Sequence, residues 1–185
     1  GCRIGETCGL VWDDCNFEEE IISIKRPVNY TADEHSQKYT WSISTPKTKS
    51  GVREIPMLPE VKRALMAEKR KQMLCGFNSS EIGGVSGFVF SNRDGKVVMP
   101  RSFSAALDRI IDSYNRDEEV SAVNDERAPV FLPSITPHIL RHTFCTRLCE
   151  NEVNIKVVQE VMGHANITTT MNIYNTATSE FKKSE

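Results

Sequence analysis

Four residues in the last third of this 185-residue chain, His138, Arg141, His164 and Tyr174, are of types that move protons, grip anions or attack electrophiles. His138 and Arg141 stand three apart, just after Thr136-Pro137, a capping hydroxyl with a proline at the first helical position. At that spacing they share a helix face. A helix start favours negative charge and a guanidinium fork matches phosphate oxygens, so the pair suits an anion site. The plainer alternative is a surface histidine beside a solvated arginine. His164 follows Gly163, a helix-stop signal, and Tyr174 comes ten residues later. Taken singly, such a histidine is structural and such a tyrosine is packing. Their order over one compact stretch makes them a candidate site.

A second group is basic: Lys47, Lys49 and Arg53, then Lys62, Arg63, Lys69, Arg70 and Lys71. A third possibility is a metal, because His138, His142, Cys145 and Cys149 fall at i, i+4, i+7 and i+11 of one helical pattern. Four ligands spread over three turns do not converge on one tetrahedral ion, which is poor zinc geometry. The six cysteines include no C-x-x-C pair, and free thiols in a reducing cytoplasm are the expectation.

The elements that must position these residues are mostly helical. Residues 3–11 carry Ile4, Cys8 and Val11 at i, i+4 and i+7, with Gly9 as a stop. This pattern begins abruptly at Gly1 with no cap before it, which suggests that an upstream piece is absent. Three β signals follow at 21–24, 40–44 and 52–55, and a small antiparallel sheet is the economical assembly, with Lys47 near the turn joining the last two. Helices are expected over 59–74, 103–114, 137–150, 155–162 and 168–175, and a hairpin over 88–90 and 96–99 around Asn92-Arg93-Asp94-Gly95. Phe103, Ala106, Leu107, Ile110, Ile111 and Tyr114 form a broad apolar stripe and are expected in the core.

Composition is that of an ordinary soluble chain, 39% hydrophobic and 26% charged, long enough to bury a core without disulfides. No window approaches the ~20 apolar residues of a membrane span, and no signal peptide is evident. The net charge of −2 conceals a split. Residues 112–127 hold six acidic residues against two arginines, a balance of −4, so the remainder carries +2. The acid-rich stretch, 112–134, reads as a solvated loop.

Residues 136–174 (TPHILRHTFCTRLCENEVNIKVVQEVMGHANITTTMNIY) resemble the second conserved box of the tyrosine recombinases, the phage-integrase family. The carrying pattern is H-x-x-R-H-T-F, then G-H, then a tyrosine ten residues on. Residues 1–14 (GCRIGETCGLVWDD) are similar to the first box, whose arginine is then Arg3. The stretch 46–53 (PKTKSGVR) resembles the hairpin bearing the family's lysine, placing it at Lys47, with Lys49 two positions away and able to reach the same space. The second box and the acid-rich stretch look most like integrases of conjugative transposons.

The resemblance implies an α+β, mainly helical, tyrosine-recombinase catalytic fold with a small antiparallel sheet at one side. Residues 1–185 would be a catalytic domain whose upstream DNA-binding segments and early helical part lie outside the chain, and 176–185 a C-terminal tail that docks on a neighbouring protomer. It implies a site-specific recombinase that integrates and excises a mobile element through a 3′-phosphotyrosine. Arg3 and Arg141 would hold the phosphate oxygens, with Lys49 and Arg53 as further phosphate contacts. Tyr174 would be the nucleophile, Lys47 the acid for the leaving oxygen, His138 the general base and His164 a phosphate donor. Glu6 would orient the first arginine, and His142 brace the site. No cofactor or metal is required, because the covalent link stores the bond energy. The implied partners are double-stranded DNA, three further protomers in a tetramer on DNA, and accessory directionality and DNA-bending proteins; no membrane is implied, and the place is a bacterial cytoplasm. Two alternatives share part of the pattern: a type IB topoisomerase-like relaxase, and a catalytically silent DNA-binding regulator.

Overall fold

The computed structural model describes residues 1–32, 39–44, 51–151 and 153–184. Helix α1 (Ile4–Cys8) and a 3-10 turn (Trp12–Asp14) lead into five short strands, β1 (Cys15–Asn16), β2 (Ile21–Ile24), β3 (Val28–Ala32), β4 (Tyr39–Ile43) and β5 (Arg53–Pro56). Five longer helices follow: α2 (Pro59–Cys75), α3 (Pro100–Asn124), α4 (Pro137–Glu150), α5 (Ile155–Met162) and α6 (Ile167–Ser184).

The strands form two antiparallel sheets rather than the single one expected. One has the order β1-β2-β5, with Ile22 opposite Ile55 and Ile24 opposite Arg53. The other pairs β3 with β4, Tyr30 opposite Trp41. The expected strand at 40–44 therefore pairs with its immediate predecessor, a short loop closure, and β5 returns to β2. Aromatic rings consolidate the β3–β4 pair: Tyr30 lies 4.8 Å from Trp41 and 5.5 Å from Tyr39, centroid to centroid. Lys47 and Lys49 sit in the connection between β4 and β5, at 45–50, outside the described residues.

Two apolar clusters flank the sheets. Leu10, Ile22, Ile24, Met57, Leu65 and Val89 form one; Cys8, Val11, Val28, Ile82, Phe88 and Val97 form the other. Gly9 lets α1 meet the start of β3, because a Cβ there would lie 2.3 Å from the carbonyl of Arg26. The hairpin expected at 88–99 reduces to one bridge, Ser91 with Val97. The Asn92 side chain accepts the backbone N–H groups of Asp94 and Lys96, reinforcing the backbone bonds from Asn92 to Lys96 and from Val98 to Phe90.

Helix α3 corrects the expected acid-rich loop at 112–134, since it continues through that stretch to Asn124. Residues 112–124 contain neither glycine nor proline, and their charges lie on a solvated helix surface. Only the link from 125 to 136 lacks regular structure. It is folded back along the helix by Arg127, which grips the Glu118 carboxylate at 2.5 and 3.0 Å, and by Asn115, which bonds both backbone groups of Leu132.

The apolar stripe of α3 is less buried than expected. Ile111 is buried, but Ile110 is 63% and Tyr114 42% exposed. Phe103 and Leu107 line an apolar cleft of about 600 Å³ with Ile55, Leu65, Leu140 and Phe144, so the stripe faces a gap rather than a filled core.

The C-terminal helices make a third cluster. Cys145 and Cys149 of α4 and Val158 and Met162 of α5 are buried together, with Phe144, Leu148, Ile173 and Tyr174 packed against them. Helix α4 is capped by Thr136, whose hydroxyl accepts the Ile139 N–H at 3.3 Å, and α5 by Asn154, which accepts from Lys156 at 2.9 Å. Helix α6 runs beyond the expected 168–175. Among the described residues no helix is long and apolar enough to cross a membrane.

Candidate active site

The last carbonyls of any α-helix have no partner within it. At the end of α5 three arginines from distant parts of the chain supply those partners. Arg53 donates Nε to the carbonyl of Val161 at 2.8 Å, Arg141 donates Nη2 to that of Met162, and Arg3 donates Nη2 to that of Gly163 at 2.9 Å. Cations there also complement the negative end of the helix dipole. Gly163 itself adopts φ 65°, the left-handed conformation that ends α5 and turns the chain into His164.

Glu6 ties this cluster together from α1. Its carboxylate accepts from Arg3 Nη1 at 2.9 Å and the Arg3 backbone N–H at 2.8 Å, and from Arg53 Nη1 and Nη2 at 3.1 and 2.9 Å. Burial alone would push the Glu6 carboxyl up, but these hydrogen bonds, that of Arg53 foremost, hold it below its ordinary value. The site remains cationic, since three guanidiniums face one carboxylate. That excess is visible in its neighbours. Burial, and then the charge of Arg3, lowers Arg141 to about 10. Burial, and then Arg141, Arg3 and Arg53, lowers His164 to about 4, so its imidazole is neutral at pH 7. His164 Nδ1 lies 2.9 Å from the hydroxyl of Thr170, which orients the ring.

The sequence-derived residues are distributed as follows. Arg3, Arg141 and His164 come together at the end of α5. Arg3 is the accessible member, its side chain 47% exposed, whereas Arg141 and His164 are buried. A guanidinium carries five N–H donors, so two bonds to the protein leave Arg3 and Arg141 capacity for an anion. His138 is exposed on the first turn of α4, one turn before Arg141. Tyr174 lies on α6 four residues beyond Thr170, hence on the same helix face as the hydroxyl that meets His164. It packs against the α4–α5 cluster.

Arg53 departs from its expected role as a phosphate contact. All three of its guanidinium nitrogens bond to Glu6 or Val161, and its side chain is 7% exposed. The reason is the α5 terminus, whose orphan carbonyls and the buried Glu6 compete successfully for it. The zinc alternative has no geometric basis. His138 and His142 are exposed while Cys145 and Cys149 are buried among apolar side chains, and among the described residues no three His, Cys, Asp or Glu side chains group to hold an ion. Thr170 was missed. It is one of three consecutive threonines, and nothing in their spacing singles it out.

An α5 terminus gripped by arginines, a buried neutral histidine beside it and a tyrosine on the next helix form a cationic candidate site on a helical α+β domain. Residues 1–180 match the model of the phage integrase family, and the chain belongs to that family. Over its whole length it is 34% identical to the transposase from transposon Tn916 of Enterococcus faecalis, of which it spans 42%. It is 30% identical over 94% of its length to a XerC-like tyrosine recombinase of Caldanaerobacter subterraneus subsp. tengcongensis, again spanning 42% of that protein. Among solved structures it is similar to the Tn1549 transposon integrase in complex with transposon right end DNA, with a TM-score of 0.77 and 32% identity, covering 98% of this chain and 54% of the other.

Proposed function

We propose that this chain is the catalytic part of a site-specific DNA recombinase, which integrates and excises a mobile element through a 3′-phosphotyrosine. The observation that carries this is the convergence of Arg3, Arg141 and neutral His164 at one helix end, in a chain of the phage integrase family. A phosphodiester resists attack because its oxygens are negative, and preorganised cations offset the charge that grows in the transition state. The relatives named for transposons, and the Tn1549 integrase solved with transposon end DNA, support a mobile-element substrate.

The chemistry proceeds without a cofactor. The Tyr174 oxygen attacks phosphorus as its proton passes to His138, and the bond from phosphorus to the 5′ oxygen breaks. Lys47 supplies a proton to that oxygen, giving a 5′-hydroxyl and a 3′-phosphotyrosine. His164 donates from its neutral ring to a phosphate oxygen, and attack by a 5′-hydroxyl from the partner duplex reverses the step. Four protomers on paired duplexes, with the 176–185 tail reaching a neighbour, would exchange strands in turn. Accessory directionality and DNA-bending proteins would set the outcome, in a bacterial cytoplasm.

The test is to incubate the full-length protein with a suicide DNA substrate bearing its crossover site. An SDS-resistant protein–DNA adduct that persists in EDTA and vanishes in Tyr174→Phe is expected. Cleavage that needs added metal and leaves no adduct would replace this mechanism with a nuclease. Plasmid relaxation without strand exchange would place the protein with topoisomerases.

A further inference from the structure

Arg53 occupies a position that neither phosphate binding nor simple capping explains. Its guanidinium lies directly over Gly163: a Cβ on that residue would be 2.7 Å from Nη1 and 2.8 Å from Cζ. The same group donates two bonds to Glu6, which holds Arg3, and one to Val161, one turn before His164. It is therefore in contact with the supports of both Arg3 and His164. It also sits in β5, opposite Ile24, as the third residue after the 45–50 segment that carries Lys47 and Lys49.

We propose that Arg53 is a positioning residue for DNA cleavage. It fixes Arg3 through Glu6, and fixes His164 through Val161 and Gly163, without itself touching DNA. The proposal rests on the recombinase function above. Its physical basis is that a planar fork with three nitrogens satisfies two oxygens of Glu6 and a carbonyl at once, which a lysine ammonium on a flexible stem does not reproduce. Loss of the fork frees Glu6 to swing with Arg3 and lets the Gly163-His164 turn relax. Small displacements of that kind cost about 100-fold in rate when they separate groups that must meet at one phosphate.

The experiment compares full-length wild type, Arg53→Lys and Arg53→Gln on the suicide substrate. It measures the single-turnover rate of adduct formation at saturating DNA, the affinity in a Tyr174→Phe background, and the dependence of affinity on salt. The expected result is a rate lowered about 100-fold in both variants, with affinity within about 3-fold of wild type and an unchanged salt slope. A phosphate contact would instead lower the salt slope by about one and leave the rate at saturation intact, which overturns the proposal. So does a wild-type rate in Arg53→Lys. If Arg53→Gln melts below the assay temperature, Arg53→Lys decides; if neither variant folds, Arg53 is purely structural and the proposal fails. Absence of any adduct in wild type would refute the recombinase function, whereas adduct formation in wild type and variants alike refutes only the role of Arg53.

Discussion

His164 and Thr170 are joined side chain to side chain, Nδ1 to hydroxyl at 2.9 Å, across the turn from α5 into α6. The histidine is buried and the threonine fully so. When the hydroxyl donates, the neutral ring carries its proton on Nε2, the nitrogen left for a substrate. Thr170→Val keeps the shape and removes the hydrogen bond. It is expected to lower single-turnover adduct formation about 10-fold and to cost roughly 1–3 kcal/mol of stability. A valine variant with wild-type rate in the suicide-substrate assay would show that the ring needs no such guide.

Stability should depend on pH through the same histidine. Its pKa is about 4 in the folded chain against an ordinary 6.5, so between those values the unfolded chain binds a proton that the native state refuses. Stability is then full above about pH 6.5 and is lost as pH falls towards 4, by at most about 3 kcal/mol. Glu6 acts in the same direction lower down. Its carboxyl is held below 4.5, so its contribution is present above that value and disappears as pH falls further. Urea unfolding at pH 7, 6 and 5 checks this, with His164→Gln as the control that should flatten the upper part of the window. A flat wild-type profile would contradict it.

Anion binding should reverse the depression of His164. Arg141, Arg3 and Arg53 disfavour its protonated form, and a phosphate placed among the exposed donors offsets them. NMR titration of the His164 ring in the full-length Tyr174→Phe protein should give a midpoint near 4 when free. A crossover-site duplex should raise it by about one unit. An unmoved midpoint at saturating DNA would separate His164 from the scissile phosphate.

Glu6→Gln removes one charge from a knot of three in which Glu6 and Arg53 are buried and Arg3 is half-exposed. Arg3 and Arg53 then face each other without their shared carboxylate, and the expected cost is about 3 kcal/mol. Thermal or urea denaturation measures it. A change below about 0.5 kcal/mol would mean that the two arginines find partners elsewhere.

Gly163→Ala combines two penalties, a Cβ at φ 65° and a 2.7 Å approach to Arg53. A loss of about 1–3 kcal/mol is expected, together with a fall in the adduct-forming rate. Chemical denaturation and the suicide substrate report the two separately, and a neutral alanine would show that Arg53 moves aside freely.

Much of the helical frame could be read from local signals. Thr136-Pro137, Asn154 and Gly163 mark helix ends through backbone chemistry that operates within a few residues, and the structure places the ends of α4 and α5 there. His138, Arg141, His164 and Tyr174 could be singled out because their types and order are unusual as a set, and Arg3 through the resemblance of residues 1–14 to the family's first box. What stayed hidden depends on distant partners. Strand β3 lies outside the three β signals, and it emerges only through its pairing with β4. The helical state of 112–124 was masked by its acidity, although no breaker interrupts it. The role of Arg53 follows only from its meeting Glu6 and Val161, 47 and 108 residues away.

Those separations bear on how the chain acquires its chemistry. The arginines that seal the end of α5 reach across 160 residues from Arg3 to Gly163, 108 from Arg53 to Val161 and 21 from Arg141 to Met162. Such contacts form only after the intervening segments have docked. A nascent or partly folded chain can already display helices and an exposed tyrosine while its arginine cluster is still in pieces. The proposed DNA cleavage is thereby tied to completion of the fold, a safeguard written into the order of assembly.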